Sequence, residues 1–96
     1  MSLPVSLRAR AEADLTDAFA WYEERLPGLG TAFLRSVDGC FARIQRHSEA
    51  YPEVHPRVHR APIRRFPYGV FYVIREDRID VLAVYHARRR PREFES

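Results

Sequence analysis

Residues 68–75 (YGVFYVIR) and 79–85 (IDVLAVY) are the two stretches that decide the fold of this 96-residue chain. Both are rich in β-branched and aromatic residues, which fit best on a pleated sheet. Glu76 and Asp77 lie between the two stretches and predict a tight turn. We therefore expect the stretches to pair as an antiparallel hairpin, with residues 68–75 forming a central strand of a sheet.

Two further strands are predicted in addition to this hairpin. Residues 58–65 are polar and rich in arginine, and they contain Pro62, which predicts an edge strand or a bulge. Near the N-terminus Leu3, Val5 and Leu7 alternate with other residue types, which is typical of a short strand with one buried face. Because a lone strand is not stable, this first strand must join the same sheet.

A pair of helices is predicted between the first strand and the others. From residue 9 to residue 26 the apolar residues follow helical spacing, with a stripe of Leu15, Ala18, Phe19, Tyr22 and Leu26. Pro27-Gly28 ends this helix, and Gly30-Thr31 opens the next one with Thr31 as its N-cap. The second stripe consists of Phe33, Val37, Phe41 and Ile44. Since the interruption is short, the helices are expected to form an antiparallel hairpin.

The predicted order of elements is β-α-α-β-β-β, an α+β fold in which a helical hairpin packs on one face of a small, mainly antiparallel sheet. Residues 48–56 contain two prolines and predict a loop, and residues 86–96 predict a polar tail. The length fits one domain spanning residues 1–96.

The composition limits the cell compartment that we expect for the protein and the chemistry that its side chains can perform. Cys40 is the only cysteine, so no internal disulfide can form, and we expect it to pack in the core. No secretory signal or membrane-spanning stretch is visible, which predicts a cytoplasmic protein without membrane contact. All 16 basic residues are arginine, which excludes chemistry that needs a lysine amine. Residues 57–96 carry ten arginines and five acidic residues, so this basic region is a candidate surface for an acidic partner.

Several short motifs occur in a specific order along nearly the whole chain. They are residues 11–15 (AEADL), 21–23 (WYE), 27–30 (PGLG), 33–34 (FL), 51–52 (YP), 64–72 (RRFPYGVFY) and 81–89 (VLAVYHARR). Over roughly residues 5 to 92 the chain resembles the ParE/RelE superfamily of toxins from bacterial toxin–antitoxin pairs. The resemblance implies neutralisation by a cognate antitoxin, which wraps such toxins with a helix and an extended segment.

The superfamily has two functional branches. RelE-like members cut messenger RNA in the ribosome, whereas ParE-like members are described as poisons of DNA gyrase. Arg60, Arg64 and Arg89 match part of the RelE pattern, and His86 is an acid–base candidate beside them. Gly69 stands where that pattern has an arginine, lysine is absent, and the tail carries Phe94 and Glu95 instead of a tyrosine. The incomplete set and the ending His86-Ala-Arg-Arg favour the ParE branch.

Two groups of residues are predicted to contact partners. His86, Arg88, Arg89, Arg90 and Arg92 form the predicted target-binding group, because clustered arginines bind phosphate or carboxylate through two parallel hydrogen bonds. The alternative for this group is a solvated tail. Trp21, Arg65 and Tyr72 are predicted to receive the antitoxin, although Trp21 can instead pack the helical hairpin.

Neither a metal nor a cofactor is predicted, since the histidines have no metal-ligand spacing and no cysteine partners. Three functional hypotheses remain open at this stage. They are a ParE-like gyrase poison, a RelE-like ribosome-dependent endoribonuclease, and a degenerate member that survives as a non-toxic binding module.

Overall fold

The computed structural model describes residues 2–87 of the chain. Within those residues the elements are β1 (Val5–Leu7), α1 (Ala9–Arg25), α2 (Leu29–His47), β2 (Glu53–His55), β3 (Val58–Pro62), β4 (Tyr68–Ile74) and β5 (Ile79–His86). The two helices pack on one face of a five-stranded sheet with the order β1-β5-β4-β3-β2. The predicted α+β fold and the central β4–β5 ribbon are therefore confirmed.

The first strand joins the sheet in parallel, beside β5. Its register is fixed at both ends by backbone hydrogen bonds: the Ile79 amide donates to the Pro4 carbonyl at 2.8 Å, and the Arg8 amide donates to the Val81 carbonyl at 3.0 Å. A parallel neighbour needs a long connection, and here it consists of both helices and the strands β2, β3 and β4. This pairing places the start of α1 next to β5.

The predicted loop over residues 48–56 is wrong in its second half, where the structure has the edge strand β2. Glu53 pairs with His59 and His55 with Val58, so a short hairpin replaces the second half of the predicted loop. Arg57 takes a positive φ of 65° in the turn, and its amide donates to the Glu53 carboxylate at 3.1 Å. Three residues between two prolines carry too little periodicity to predict a strand. The strand β3 is also shorter than predicted, because it ends at Pro62.

The junction of the helices also differs from the prediction. α2 begins at Leu29, and Thr31 is not its N-cap. Instead the Glu23 carboxylate accepts hydrogen bonds from the amides of Gly28 and Gly30, at 2.8 and 2.9 Å. Gly28 has a φ of +92°, which glycine adopts without strain. Leu26 is 58% exposed, so it lies outside the buried stripe of α1 to which it was assigned.

The core lies on both faces of the sheet. On the helix-covered face Phe33, Val37, Cys40 and Ile44 of α2 pack against the sheet, as predicted for Cys40. Burial raises the pKa of the Cys40 thiol to about 11, because the charged thiolate would lose its hydration. A second cluster, on the opposite face, consists of Val58, Phe71, Val73, Ala83 and Tyr85.

Candidate partner-binding cleft

A cleft of about 550 Å³ opens between α1 and the adjoining ends of β4 and β5. Its lining residues come from one face of the helix and from the sheet: Asp14, Asp17, Ala18, Trp21, Tyr22, Pro67, Tyr68, Val84, Tyr85 and His86. The helical residues follow a spacing of three to four, so they share one face of α1. We refer to this feature as the α1–β5 cleft.

One wall of the α1–β5 cleft is aromatic. Tyr22 lies at its centre, with ring centroids 4.9 Å from Phe66, 5.4 Å from Phe33 and 6.2 Å from Tyr68. Burial, and secondarily Tyr68, raises the pKa of Tyr22 above its ordinary value, so the hydroxyl stays protonated at neutral pH. These contacts hold the wall in a fixed arrangement, since edge-to-face and tilted rings pack well at these distances.

Trp21 forms the outer part of this wall and is 49% exposed. Its ring meets Tyr22 edge to face at 5.1 Å. The Arg25 guanidinium lies 3.2 Å from the Trp21 ring centroid, and Arg25 also donates a 3.0 Å hydrogen bond to the Trp21 carbonyl. A large, half-exposed aromatic side chain held by its neighbours is a typical anchor for a protein partner.

Acidic side chains from the same face of α1 also line the cleft. The Asp14 carboxylate accepts a 2.9 Å hydrogen bond from the Val84 amide, which ties α1 to β5. Asp17 lies one turn further along the helix and is exposed. His86 ends β5, where its ring meets Tyr68 edge to face at 5.5 Å. The described lining of the cleft is thus acidic and aromatic, on a chain whose net charge is +3.

The structure brings some of the predicted partner-binding residues together and separates others. Trp21 and His86, predicted for different partners, both line the α1–β5 cleft. Arg65 is exposed in the turn before β4 and has a positive φ of 72°. The burial of Tyr72 contradicts the prediction that it contacts the antitoxin. Its side chain is fully buried, and its hydroxyl donates to the Ser48 carbonyl at 2.6 Å. It cannot contact a partner while the core stays closed.

Of the residues proposed for RNA cleavage, Arg60, Arg64 and His86 have described positions. The Arg60 guanidinium lies 5.9 Å from the Phe71 ring centroid, on the face of the sheet opposite the helices. It also covers Gly69, where an added Cβ would meet the guanidinium at 2.5 Å. His86 contacts Tyr68, which packs against the helix-covered core. Arg64 is exposed in the turn between β3 and β4.

Four predicted target-binding arginines lie outside the described residues. They are Arg88, Arg89, Arg90 and Arg92. Of that predicted group only His86 has a described position, at the end of β5.

Three acidic residues with structural roles were not singled out from the sequence. Glu23 and Asp14 bind backbone amides, as described above. Asp80 is buried in β5 and accepts hydrogen bonds from Arg8, at 2.9 and 3.2 Å, and from Arg75, at 3.2 Å. Burial alone would raise the pKa of Asp80, but the two guanidinium groups outweigh that effect and hold it below its ordinary value. A lone acid inside the apolar run of residues 79–85 was the signal that could have revealed it.

Residues 2–87 contain neither a metal-type cluster of side chains nor a membrane-spanning helix. That part of the chain contains no cluster of three or more His, Cys, Asp or Glu side chains suited to a metal ion. Nor does it contain a helix that is long and apolar enough to span a membrane.

Comparison with known proteins places the chain in a family. The family model described as "ParE toxin of type II toxin-antitoxin system, parDE" matches residues 5–91, which is nearly the whole chain. The chain belongs to the ParE toxin family. This result confirms the resemblance seen in the sequence, and the matched residues include every residue that lines the α1–β5 cleft.

Individual relatives agree with the assignment to the ParE family. Toxin ParE2 of Mycobacterium tuberculosis, in strains CDC 1551 / Oshkosh and H37Rv, is 29% identical over 86 residues, which cover 88% of this chain and 82% of the relative. A solved chain described as "Chromosomal ParDE TA system from P. aeruginosa" superposes with a TM-score of 0.78. It is 16% identical and covers 88% of this chain and 96% of the solved one, so it confirms the fold.

Proposed function

We propose that this ParE-family chain is the toxin of a type II toxin–antitoxin pair, that it acts in the cytoplasm by poisoning DNA gyrase, and that a cognate antitoxin neutralises it. The observation that carries this proposal is the match of the family model to residues 5–91. The family description supports the toxin role directly. The gyrase target and the antitoxin complex go beyond it and need experiments.

The α1–β5 cleft supports the antitoxin part of the proposal. It combines a volume of about 550 Å³ with an anchor residue, Trp21, that is 49% exposed. Interface energy is concentrated at aromatic residues of this kind, in pockets that a partner closes to water. The chain similar in fold comes from a ParDE toxin–antitoxin system, which is consistent with a partner protein for this chain as well.

The sequence that follows β5 supports the target part of the proposal. His86 is exposed where β5 ends, and the next residues, 87–90, read ARRR. Gyrase works on DNA, so a basic segment has both phosphate and acidic protein surface available to it. We therefore assign target binding to His86 together with Arg88, Arg89, Arg90 and Arg92.

The experiment that tests this proposal also distinguishes it from two other functions. A ribosome-dependent endoribonuclease would need the Arg60 and His86 side chains at one phosphate, yet they contact residues on opposite faces of the sheet. General acid–base catalysis requires both groups to lie within hydrogen-bond distance of the reacting atoms. A non-toxic binding module would keep the cleft and lose the effect on growth.

The test is controlled expression with and without the neighbouring reading frame. Expression alone should arrest growth, the purified protein should inhibit supercoiling by gyrase and trap cleaved DNA, and co-expression of the neighbour should restore growth. Arg89→Gln combined with Arg90→Gln should relieve the arrest, whereas Arg46→Gln, an exposed arginine on α2, should not. Cuts in messenger RNA with normal supercoiling would assign the RelE-like activity instead. Normal growth with folded protein would leave only the binding module.

A further inference from the structure

Among residues 2–87, the side chains that line the α1–β5 cleft include acids but no arginine, whereas the chain as a whole has a net charge of +3. All 16 basic residues of the chain are arginines, yet none of the described residues that line the cleft is an arginine. The lining includes the two carboxylates of Asp14 and Asp17. A partner segment that enters this cleft therefore gains by carrying a positive charge.

The aromatic wall limits which kind of positively charged group fits in the α1–β5 cleft. Asp17 and Trp21 are four residues apart on α1, so their side chains are neighbours on one face of the helix. Between them lies Ala18, whose small side chain is buried and leaves room above it. A planar guanidinium can pair with the carboxylate and stack on an aromatic ring at the same time, which a lysine ammonium cannot do.

The molecule already contains one example of this type of contact. The Arg25 guanidinium lies 3.2 Å from the Trp21 ring centroid, on the surface of the same helix. Further into the cleft, Tyr68 and Tyr22 extend the aromatic surface, with their centroids 6.2 Å apart.

We propose that the α1–β5 cleft binds an arginine side chain of the antitoxin, with its guanidinium paired to Asp17 and stacked against the aromatic wall. This inference rests on the proposed toxin–antitoxin function, and it specifies what chemistry the partner must present. It predicts an arginine in the antitoxin segment that covers α1, flanked by apolar residues that meet Trp21 and Pro67.

The test uses the full chain and a small probe in place of the antitoxin. Trp21 is the only tryptophan, so its fluorescence and its single indole N–H resonance report on this cleft alone. N-acetyl-arginine amide at low salt should perturb both signals with half-saturation on the order of millimolar, as a fragment of this size allows. N-acetyl-citrulline amide has the same shape without the charge, and it should bind much more weakly.

Two matched variants locate the interaction. Asp17→Asn should weaken the binding of N-acetyl-arginine amide about threefold to fivefold, the effect of one exposed ion pair. Glu24→Gln removes an exposed acid from the same helix outside the cleft and should leave binding unchanged. With the product of the neighbouring reading frame as ligand, Asp17→Arg should lower affinity more than Glu24→Arg.

Several results would overturn the inference. Equal binding of the arginine and citrulline probes would show that charge does not matter in the cleft. Equal effects of Asp17→Asn and Glu24→Gln would place the interaction elsewhere. If Arg88→Gln and Arg89→Gln change the Trp21 signals without any probe, the cleft serves the chain's own basic segment and not a partner. The growth and supercoiling assays are independent of these measurements, so a failure of this inference can be told apart from a failure of the proposed function.

Discussion

Replacing Asp80 with asparagine removes the carboxylate that joins three segments of the chain. Asp80 in β5 binds Arg8, at the junction of β1 and α1, and Arg75, at the end of β4. The Asp80 side chain is 5% exposed, whereas those of Arg8 and Arg75 are 54% and 39% exposed. The arginines can therefore return to water when the carboxylate is lost, and the variant leaves no unpaired buried charge.

The expected cost follows from these exposures. Losing one partner of a fully buried ion pair costs about 3–5 kcal/mol. A hydrogen bond to a charged group contributes about 1.5–3 kcal/mol, and the amide oxygen of asparagine retains part of it. Because both arginines are partly solvated, we expect Asp80→Asn to lower the free energy of unfolding by about 2 kcal/mol at pH 7. For a domain of this size that corresponds to a fall in Tm of roughly 10 °C.

Lowering the pH should remove the same contribution of Asp80 to the free energy of unfolding. The pKa of Asp80 is lower in the folded state than in the unfolded state, so its stabilisation is fully present above the unfolded value of about 4. It is lost as the pH falls through the folded value. Urea unfolding followed by far-UV circular dichroism should therefore show a constant difference between wild type and Asp80→Asn from pH 7 to about 5, shrinking at lower pH.

A neighbouring residue provides the control for this experiment. Asp77 pairs with Arg78 at 2.8 Å, but its side chain is 76% exposed. Asp77→Asn should change stability by less than about 0.5 kcal/mol at pH 7. If both variants were equally stable at pH 7, or if the cost of Asp80→Asn persisted fully at pH 2, the ion pairs would not be the source of the stabilisation.

Three more substitutions or reactions test the packing of the helices. Glu23→Ala removes the carboxylate that binds the Gly28 and Gly30 amides and should cost about 1–2 kcal/mol in urea unfolding, whereas Glu24→Ala on the exposed side should cost little. Gly30→Ala would place a Cβ 2.7 Å from the Phe19 ring and 2.8 Å from its carbonyl, so the helices must separate and the free energy of unfolding should fall by about 1–3 kcal/mol, as is typical of overpacking. Cys40, with a pKa of about 11, should react with a disulfide reagent at pH 8 only in denaturant, and rapid labelling of the native chain would contradict its burial.

The sequence predicted the parts of the fold that are long and periodic. The β4–β5 ribbon, both helices and the buried position of Cys40 all follow from runs of apolar residues with clear spacing. Short or locally capped features were predicted less well. The strand β2 has three residues, and the start of α2 depends on the Glu23 carboxylate reaching back to it from the preceding helix. A carboxylate that lies five to seven residues before the amides it binds does not match the pattern of a side-chain N-cap.

The sequence predicted individual residues of the candidate site but did not predict that they lie together in one cleft. Trp21 and His86 are 65 positions apart in the sequence, and they meet in one cleft because β5 lies under α1. That arrangement depends on the parallel pairing of β1 with β5, which no pattern in three residues can specify. Tyr72 was assigned to the surface because a central strand has two faces, and alternation alone does not say which face the helices cover.

Stability and the proposed partner binding involve different residues of the α1–β5 cleft. Asp14 binds the Val84 amide and Tyr22 packs against Phe33 and Phe66, so variants at Asp14 or Tyr22 should lower the stability of the fold and disturb the cleft together. Trp21 and Asp17 occupy the exposed rim of the same helix face. Substitutions at these two positions should therefore change affinity for an antitoxin while the free energy of unfolding stays within about 0.5 kcal/mol. A cleft whose rigid wall belongs to the core costs a partner little reorganisation on binding.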